Sequence, residues 1–366
     1  MKKKPLIIIG AITAVIIAVL FIILFSYIYL NFFKNDDFVF TGKMNAYRVR
    51  HTHTLLKDGN ILITGGECWN EKLGYKSAEI YNPNTGHFTL IDNTKLEHTW
   101  HKTILLSNGN VVILSYNGIE IYDIKTKKFY LAGNMVIPRK RGFSVTLLKN
   151  DKILILGGEK YDKNIHVPPP DVPIVLEAEI YDPITEKSKI VGNTLYPVVD
   201  NQAIALSNGK IIIVDNKYNI ELFDPKTEKF SIIGKFNMTN GVIINLKGKI
   251  INLEKNIKEI FNTTNFHESE EESFIPSIDR YNFYEPIILK DNNILLLSSE
   301  RNYIFYPKKN KFYKLHSFLK DRNGFAATLL NNGKVLVTGG TCGMASSGPL
   351  YKEAELFVNK QGRKEK

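Results

Sequence analysis

Arginine, histidine and tryptophan recur at matched spacings in three separate stretches of this sequence, and chemistry could be built from them. Arg48 stands three residues before His51, with His53 beyond it. His98 stands three residues before His101, with Trp100 between them, and Arg322 opens a corresponding Arg-Asn-Gly-Phe stretch near the C-terminus. Trp69 and Asn70 lie on a loop after the first stretch. Cations, imidazoles and indoles gathered on one surface suit an anionic or sugar-like ligand. The same residues admit a second reading, in which a repeated template supplies Arg and His as hydrogen-bonding groups of a scaffold. Cys68 and Cys342, the only cysteines, each follow a Gly-Gly pair by two residues. An oxidising compartment allows a disulfide between them if their Cα atoms come within about 7 Å; two buried free thiols are the alternative. These spacings give no reason to expect a metal ion or a cofactor.

The elements that position these groups follow one pattern, set out between Arg48 and Phe88. His51 to Leu56 alternates polar and apolar, as a half-buried strand does. Asp58-Gly59 makes a hairpin, and Ile61 to Thr64 returns antiparallel. Gly65-Gly66 ends that strand where the backbone must bend sharply or approach another segment. Ala78 to Tyr81 is a third strand, and His87 to Ile91 is a fourth after the turn Asn82-Pro83-Asn84-Thr85-Gly86. A four-stranded unit of this size cannot bury both faces alone. Stacking copies radially does so, and a period of about 40 to 50 residues is that of a β-propeller.

Six further units follow, with first strands starting at His101, Phe143, Ala203, Val242, Pro286 and Ala326. The unit at Val242 is the most eroded. The seventh has three strands and no fourth, whereas Phe38 to Phe40 is a strand with no three before it. Pairing the two closes the ring and leaves no open edge. The expectation is an all-β, seven-bladed propeller over residues 38–359, six-bladed if the unit at Val242 is misread.

Glu79, Glu120, Glu179, Glu221, Glu259 and Glu355 recur in the third strands. A residue repeated in nearly every unit reads as structural, pairing with cations at the lead-in to each unit or capping backbone amides. Tyr81, Tyr122, Tyr181 and Phe223 recur beside it and read as core. Counting back from each hairpin places Arg48, His98, Lys140, Val198, Asn237, Tyr281 and Arg322 at the lead-in positions. Once the ring closes, units seven, one and two are neighbours. The candidate ligand residues Arg48, His51, His98, Trp100, His101, Arg322 and Trp69 then share one sector of the loop-bearing face, where function on a rigid scaffold tends to sit.

The chain has 366 residues and a formal charge of +11. A basic excess spread over so large a domain suits anionic surfaces such as lipid headgroups or acidic polymers, and an ordinary solvated Lys-rich surface is the alternative reading. With no compact basic helix and no recognisable module, nucleic acid is not an expected partner. Lys2, Lys3 and Lys4 precede an uncharged apolar run from Leu6 to Phe33, longer than the roughly 20 residues that cross about 30 Å of hydrocarbon. No Ala-x-Ala-like cleavage site follows it. Residues 1–33 therefore read as a transmembrane signal anchor with a cytoplasmic Lys cluster; a long signal peptide that is removed is the alternative. Residues 34–37 read as a linker and 360–366 as a basic tail, with the propeller on the extracytoplasmic side.

The template Arg-x-x-His-Thr-x-Thr-Leu-Leu-x-Asp-Gly-x-Ile-Leu-Ile-Thr-Gly-Gly, continued by Ala-Glu-Ile-Tyr-Asn-Pro, resembles the kelch repeat. It looks most like the variant in the propeller of galactose oxidase and many bacterial proteins, and the resemblance covers about residues 38 to 359. It implies fold more than function, because kelch propellers include enzymes and binding modules. Galactose-oxidase chemistry would require copper held by two imidazoles and two tyrosines, one cross-linked to a cysteine; His98 and His101 have no matching tyrosine pair. The expected role is non-enzymatic binding of a protein or glycan at the cell envelope. The alternative is a sugar-directed enzyme on the same face, sialate-mutarotase-like or galactose-oxidase-like.

Overall fold

A computed structural model describes residues 19–22, 37–67, 76–162, 172–199, 202–206, 208–215, 217, 219–235, 243–246, 249–252, 286–299, 301–309, 311–341 and 349–358. The closing strand β1 (Phe38–Lys43) comes first. Unit one is β2 (Thr52–Leu55), β3 (Ile61–Thr64), β4 (Ala78–Asn82) and β5 (His87–Ile91). Unit two is β6 (Lys102–Leu105), β7 (Val111–Ser115), β8 (Gly118–Asp123) and β9 (Lys128–Leu131). Unit three is β10 (Phe143–Leu147), β11 (Ile153–Gly157), β12 (Glu177–Asp182) and β13 (Lys187–Asn193). Unit four is β14 (Gln202–Ala205), β15 (Ile211–Val214), β16 (Asn219–Asp224) and β17 (Lys229–Lys235). The fifth unit is the hairpin β18 (Ile243–Leu246) and β19 (Lys249–Asn252). Unit six is β20 (Ile287–Ile288), β21 (Ile294–Leu296), β22 (Tyr303–Tyr306) and β23 (Lys311–Lys314). Unit seven is β24 (Ala326–Leu329), β25 (Val335–Thr338) and β26 (Glu353–Phe357).

The fold is an all-β propeller with six four-stranded blades, not the seven expected; the fifth unit contributes a two-stranded sheet among the described residues. That unit carries Lys247-Gly248 where the others have Asp-Gly, Asn-Gly or a close variant, and it has no Gly-Gly pair. Its expected third and fourth strands, with Glu259, lie outside the described residues. No helix among the described residues is long and apolar enough to cross a membrane. Of the expected anchor only residues 19–22, which are helical, are described.

Ring closure is as expected. β1 pairs with β26, with Phe38 opposite Phe357, Val39 opposite Leu356 and Phe40 opposite Glu355. β2 packs against β24 on one side and β6 on the other. The register also orients the blades. Ile61, next to the first hairpin, lies opposite Tyr81, and Val335, next to the last, lies opposite Phe357. The hairpins, the turns between third and fourth strands and the start of β1 therefore share one face. The lead-in segments and the second-to-third connections occupy the other.

Period-two alternation builds the core between blades. β3 is buried throughout. Its Ile61 and Ile63 pack with Leu336 and Leu356 of unit seven, and its Leu62 packs with Val111 and Ile113 of unit two. The middle strands of units two, three and four repeat this arrangement. Units one, two and three each fill two seams at once, and no such blade is a stable unit by itself.

Candidate functional site

The Gly-Gly pairs are the seams of the ring. Gly66 N donates to His98 O, Gly158 N to Val198 O and Gly340 N to Arg48 O, each joining one unit to the lead-in residue of the next. A Cβ on Gly65 would collide with His98 O, and one on Gly339 with Arg48 O; both glycines have positive φ, 59° and 64°. The close approach between blades requires these glycines.

The lead-in arginines are buried in the scaffold. The Arg48 guanidinium bonds Glu79 Oε1 (3.1 and 3.0 Å), Gly65 O (2.7 Å), Ser77 O (2.9 Å) and Ser77 Oγ (2.7 Å). Arg322 repeats this with Glu355 (2.9 Å), Gly339 O (2.7 Å) and Glu353 O (2.7 Å). In unit three the same place is held by Arg139, bonded to Glu179 (2.7 Å) and Gly157 O (2.9 Å), and not by the expected Lys140. Unit three carries one extra residue between Arg139 and Gly142, which moves the count by one. In unit two His98 takes the arginine's place, its Nδ1 3.0 Å from Ser115 Oγ and its Nε2 3.6 Å from Glu120.

The recurrent glutamates do both jobs expected of them. Each pins its own lead-in segment by two backbone amides: Glu79 accepts from Asn45 and Ala46, Glu179 from Val136 and Ile137, Glu221 from Leu195 and Tyr196, and Glu355 from Leu319 and Lys320. Glu120 does the same for Lys95 and Leu96. Their cross-strand partners on the outer edge are Leu90, Leu131, Ile190, Ile232 and Phe40. Opposed residues share a sheet face, so these exposed apolar side chains lie over the buried carboxylates. In unit six, where Tyr303 replaces the glutamate, the partner is Lys314.

The histidines form the seams between units seven, one and two. His51 Nε2 (2.6 Å) and His53 Nε2 (2.7 Å) both meet Thr338 Oγ1 across the closure, and His101 Nε2 meets Thr52 Oγ1 (2.8 Å) and Thr64 Oγ1 (3.1 Å). Nδ1 of His51, His53 and His101 has no hydrogen-bond partner among the described residues. Burial, then the charges of His53 and Arg48, holds His51 well below the ordinary imidazole range. Burial and then Arg48 push His53 down to about 3. Burial and then His98 hold His101 well below its ordinary value. Burial holds these rings neutral, with Nε2 of each bonded across a seam between blades.

Of the expected ligand residues, only Trp100 is both described and partly open. It sits with the Arg50 guanidinium 4.2 Å from its ring centroid and that of Arg141 6.0 Å away. Arg50 pairs with Glu67 (3.0 Å) and Arg141 with Glu159 (2.6 Å). Tyr116 and Tyr161, from loops of units two and three, pair at 4.3 Å. Trp100 (φ 52°) and Arg50 (φ 56°) adopt the left-handed conformation, at the template position where Gly142 and Gly324 stand in units three and seven. Bulky residues held there mark strain, which clusters at functional sites. Arg50, Arg141, Glu67 and Glu159 are not among the expected ligand residues; the position two residues past the lead-in holds both Arg50 and Trp100, and this spacing is the signal in the sequence. Trp69, Asn70, Cys68 and Cys342 lie outside the described residues.

No protein-family model matches the chain, and no curated protein sequence matches it. Among solved structures it is similar to a fungal alcohol oxidase of the AA5 family in complex with copper, with TM-score 0.64, 15% identity, and alignment over 89% of this chain and 76% of that one. At that identity the likeness concerns the fold. Among the described residues no three His, Cys, Asp or Glu side chains could jointly hold a metal ion. His51, His53, His98 and His101 each have one ring nitrogen bonded to a threonine or serine hydroxyl and one without a hydrogen-bond partner among the described residues.

Proposed function

We propose that this protein is an extracytoplasmic kelch-type propeller, anchored by residues 1–33, that binds a glycan on its loop face without transforming it. Of the two partner classes expected, protein or glycan, the cluster around Trp100 favours the glycan. The carrying observation is that Trp100 is flanked by two guanidiniums, each paired with its own carboxylate. Paired charges leave the cluster without a strong net field, and alternating planar donors and acceptors match vicinal hydroxyls beside aromatic faces. The arginines and histidines that could have supplied chemistry are already spent on the ring. Seven blades, with the rest of the fifth unit completing one sheet, belong to the same proposal.

A glycan array probed with the full chain tests this reading. Wild type is expected to hold a subset of saccharides that Trp100→Gly loses, with thermal unfolding little changed because Gly accepts the left-handed backbone at that position. Unaltered binding by Trp100→Gly would overturn it. Turnover of a bound saccharide would favour the sugar-directed enzyme instead.

A further inference from the structure

The face opposite the candidate site carries its own pattern. The first residue of the fourth strand is lysine in units two, three, four and six: Lys128, Lys187, Lys229 and Lys311, all exposed. The preceding aspartates turn inward. Asp123 accepts from the amides of Lys125 and Thr126, Asp182 from Ile184 and Thr185, and Asp224 from Lys226. Asp182 and Asp224 also pair with Lys152 (3.0 Å) and Lys210 (3.1 Å), and although Glu186 and Glu228 precede Lys187 and Lys229, these turns together carry more lysine than carboxylate. In unit three the tip of the turn is Ile184, 88% exposed, the most exposed large apolar side chain among the described residues.

The chain enters the propeller on this same face. Phe38 lies opposite Phe357, at the hairpin end of unit seven, so residues 1–36 are joined to the lysine-bearing face and not to the loop face. Those residues include the uncharged apolar run Leu6–Phe33. The spacer between that run and β1 is four residues, 34–37, and about 3.5 Å per residue is the most a chain can span. A bilayer holding the run would therefore lie within reach of the rim.

We infer that the hairpin face, through its lysine rim and Ile184, docks flat on the anionic phospholipid surface of the membrane that holds the N-terminal run, which turns the Trp100 face away from the membrane. Each lysine near an anionic headgroup layer gains attraction that decays within a Debye length, and an exposed isoleucine can bury its side chain at the headgroup boundary. The inference rests on the anchor proposed above.

The test uses the full chain with vesicles of pure phosphatidylcholine and with vesicles rich in phosphatidylglycerol, read by flotation and by backbone hydrogen exchange. Flotation with both kinds supports the anchor. Slower exchange of the turns 123–128, 182–187 and 224–229 on phosphatidylglycerol only, reversed by high salt, supports docking; equal exchange on both vesicles overturns it. Each Lys→Gln change on the rim should weaken docking about fivefold. A chain that floats with neither kind of vesicle overturns the anchor and the docking together. A chain that floats only with phosphatidylglycerol overturns the anchor and sustains the face.

Discussion

Arg48 and Arg50 are two residues apart and have opposite fates. Arg48 turns its side chain onto Glu79, whereas Arg50, in the left-handed conformation, lays its guanidinium on Trp100. Residue type and spacing placed Arg48 and Arg322 at lead-in positions but pointed to Lys140 where Arg139 stands, and could not say which side of the backbone each side chain would take. The recurrence of Glu79, Glu120, Glu179, Glu221 and Glu355 did carry that information, since a carboxylate repeated in every third strand needs a partner in every lead-in. The neutral imidazoles make a prediction at this scale. In the unfolded chain His51, His53 and His101 protonate near their ordinary value of 6.5, while the folded forms lie below it. The unfolded state therefore binds more protons below that pH, and stability is full above about 6.5 and lost as pH falls toward 3. Each group contributes a slope of about 1.4 kcal/mol per pH unit across its own window. Urea unfolding at pH 7 and pH 5 should show a clear drop in midpoint. Replacing His53 with Gln should make the drop smaller; an unchanged pH dependence in that variant would contradict the assignment.

At the scale of elements, strands and turns were legible because each unit repeats one alternating pattern with Gly at its corners. The hairpins close as Leu56 N to Asn60 O and Leu330 N to Lys334 O, with Asp58 and Asn332 side chains accepting the amide two residues on. The fifth unit was the least legible, as its turn and its Gly-Gly pair are absent, and only its first hairpin is described. The exposed residues Leu90, Leu131, Ile190 and Ile232 might be mistaken for a docking belt on composition alone; their register opposite the glutamates explains them. Closure makes the sharper prediction. Deleting residues 38–42 removes the fourth strand of unit seven, strips Phe38 from a core shared with unit six, and exposes the edge of β26. The melting temperature should fall by several degrees, and an unchanged melt would contradict closure by β1.

For the whole molecule, the ring separates two duties by face and by depth. Buried ion pairs fix each lead-in to its own blade, and histidine–threonine bonds join units seven, one and two; the arginines around Trp100 lie on the loop face and the lysine rim on the opposite face. The propeller class was readable from period and patterning. The division of duties was not, because it depends on which blade each residue meets after closure, through pairs as distant in sequence as His51 and Thr338. The most direct test of that division is urea unfolding of a matched pair of variants of the full chain in detergent, Arg48→Gln and Arg50→Gln. Arg48→Gln leaves Glu79 buried without its cation and should cost about 3–5 kcal/mol. Arg50→Gln, at an exposed pair, should cost under about 1 kcal/mol. Equal losses, or the larger loss at Arg50, would contradict the account.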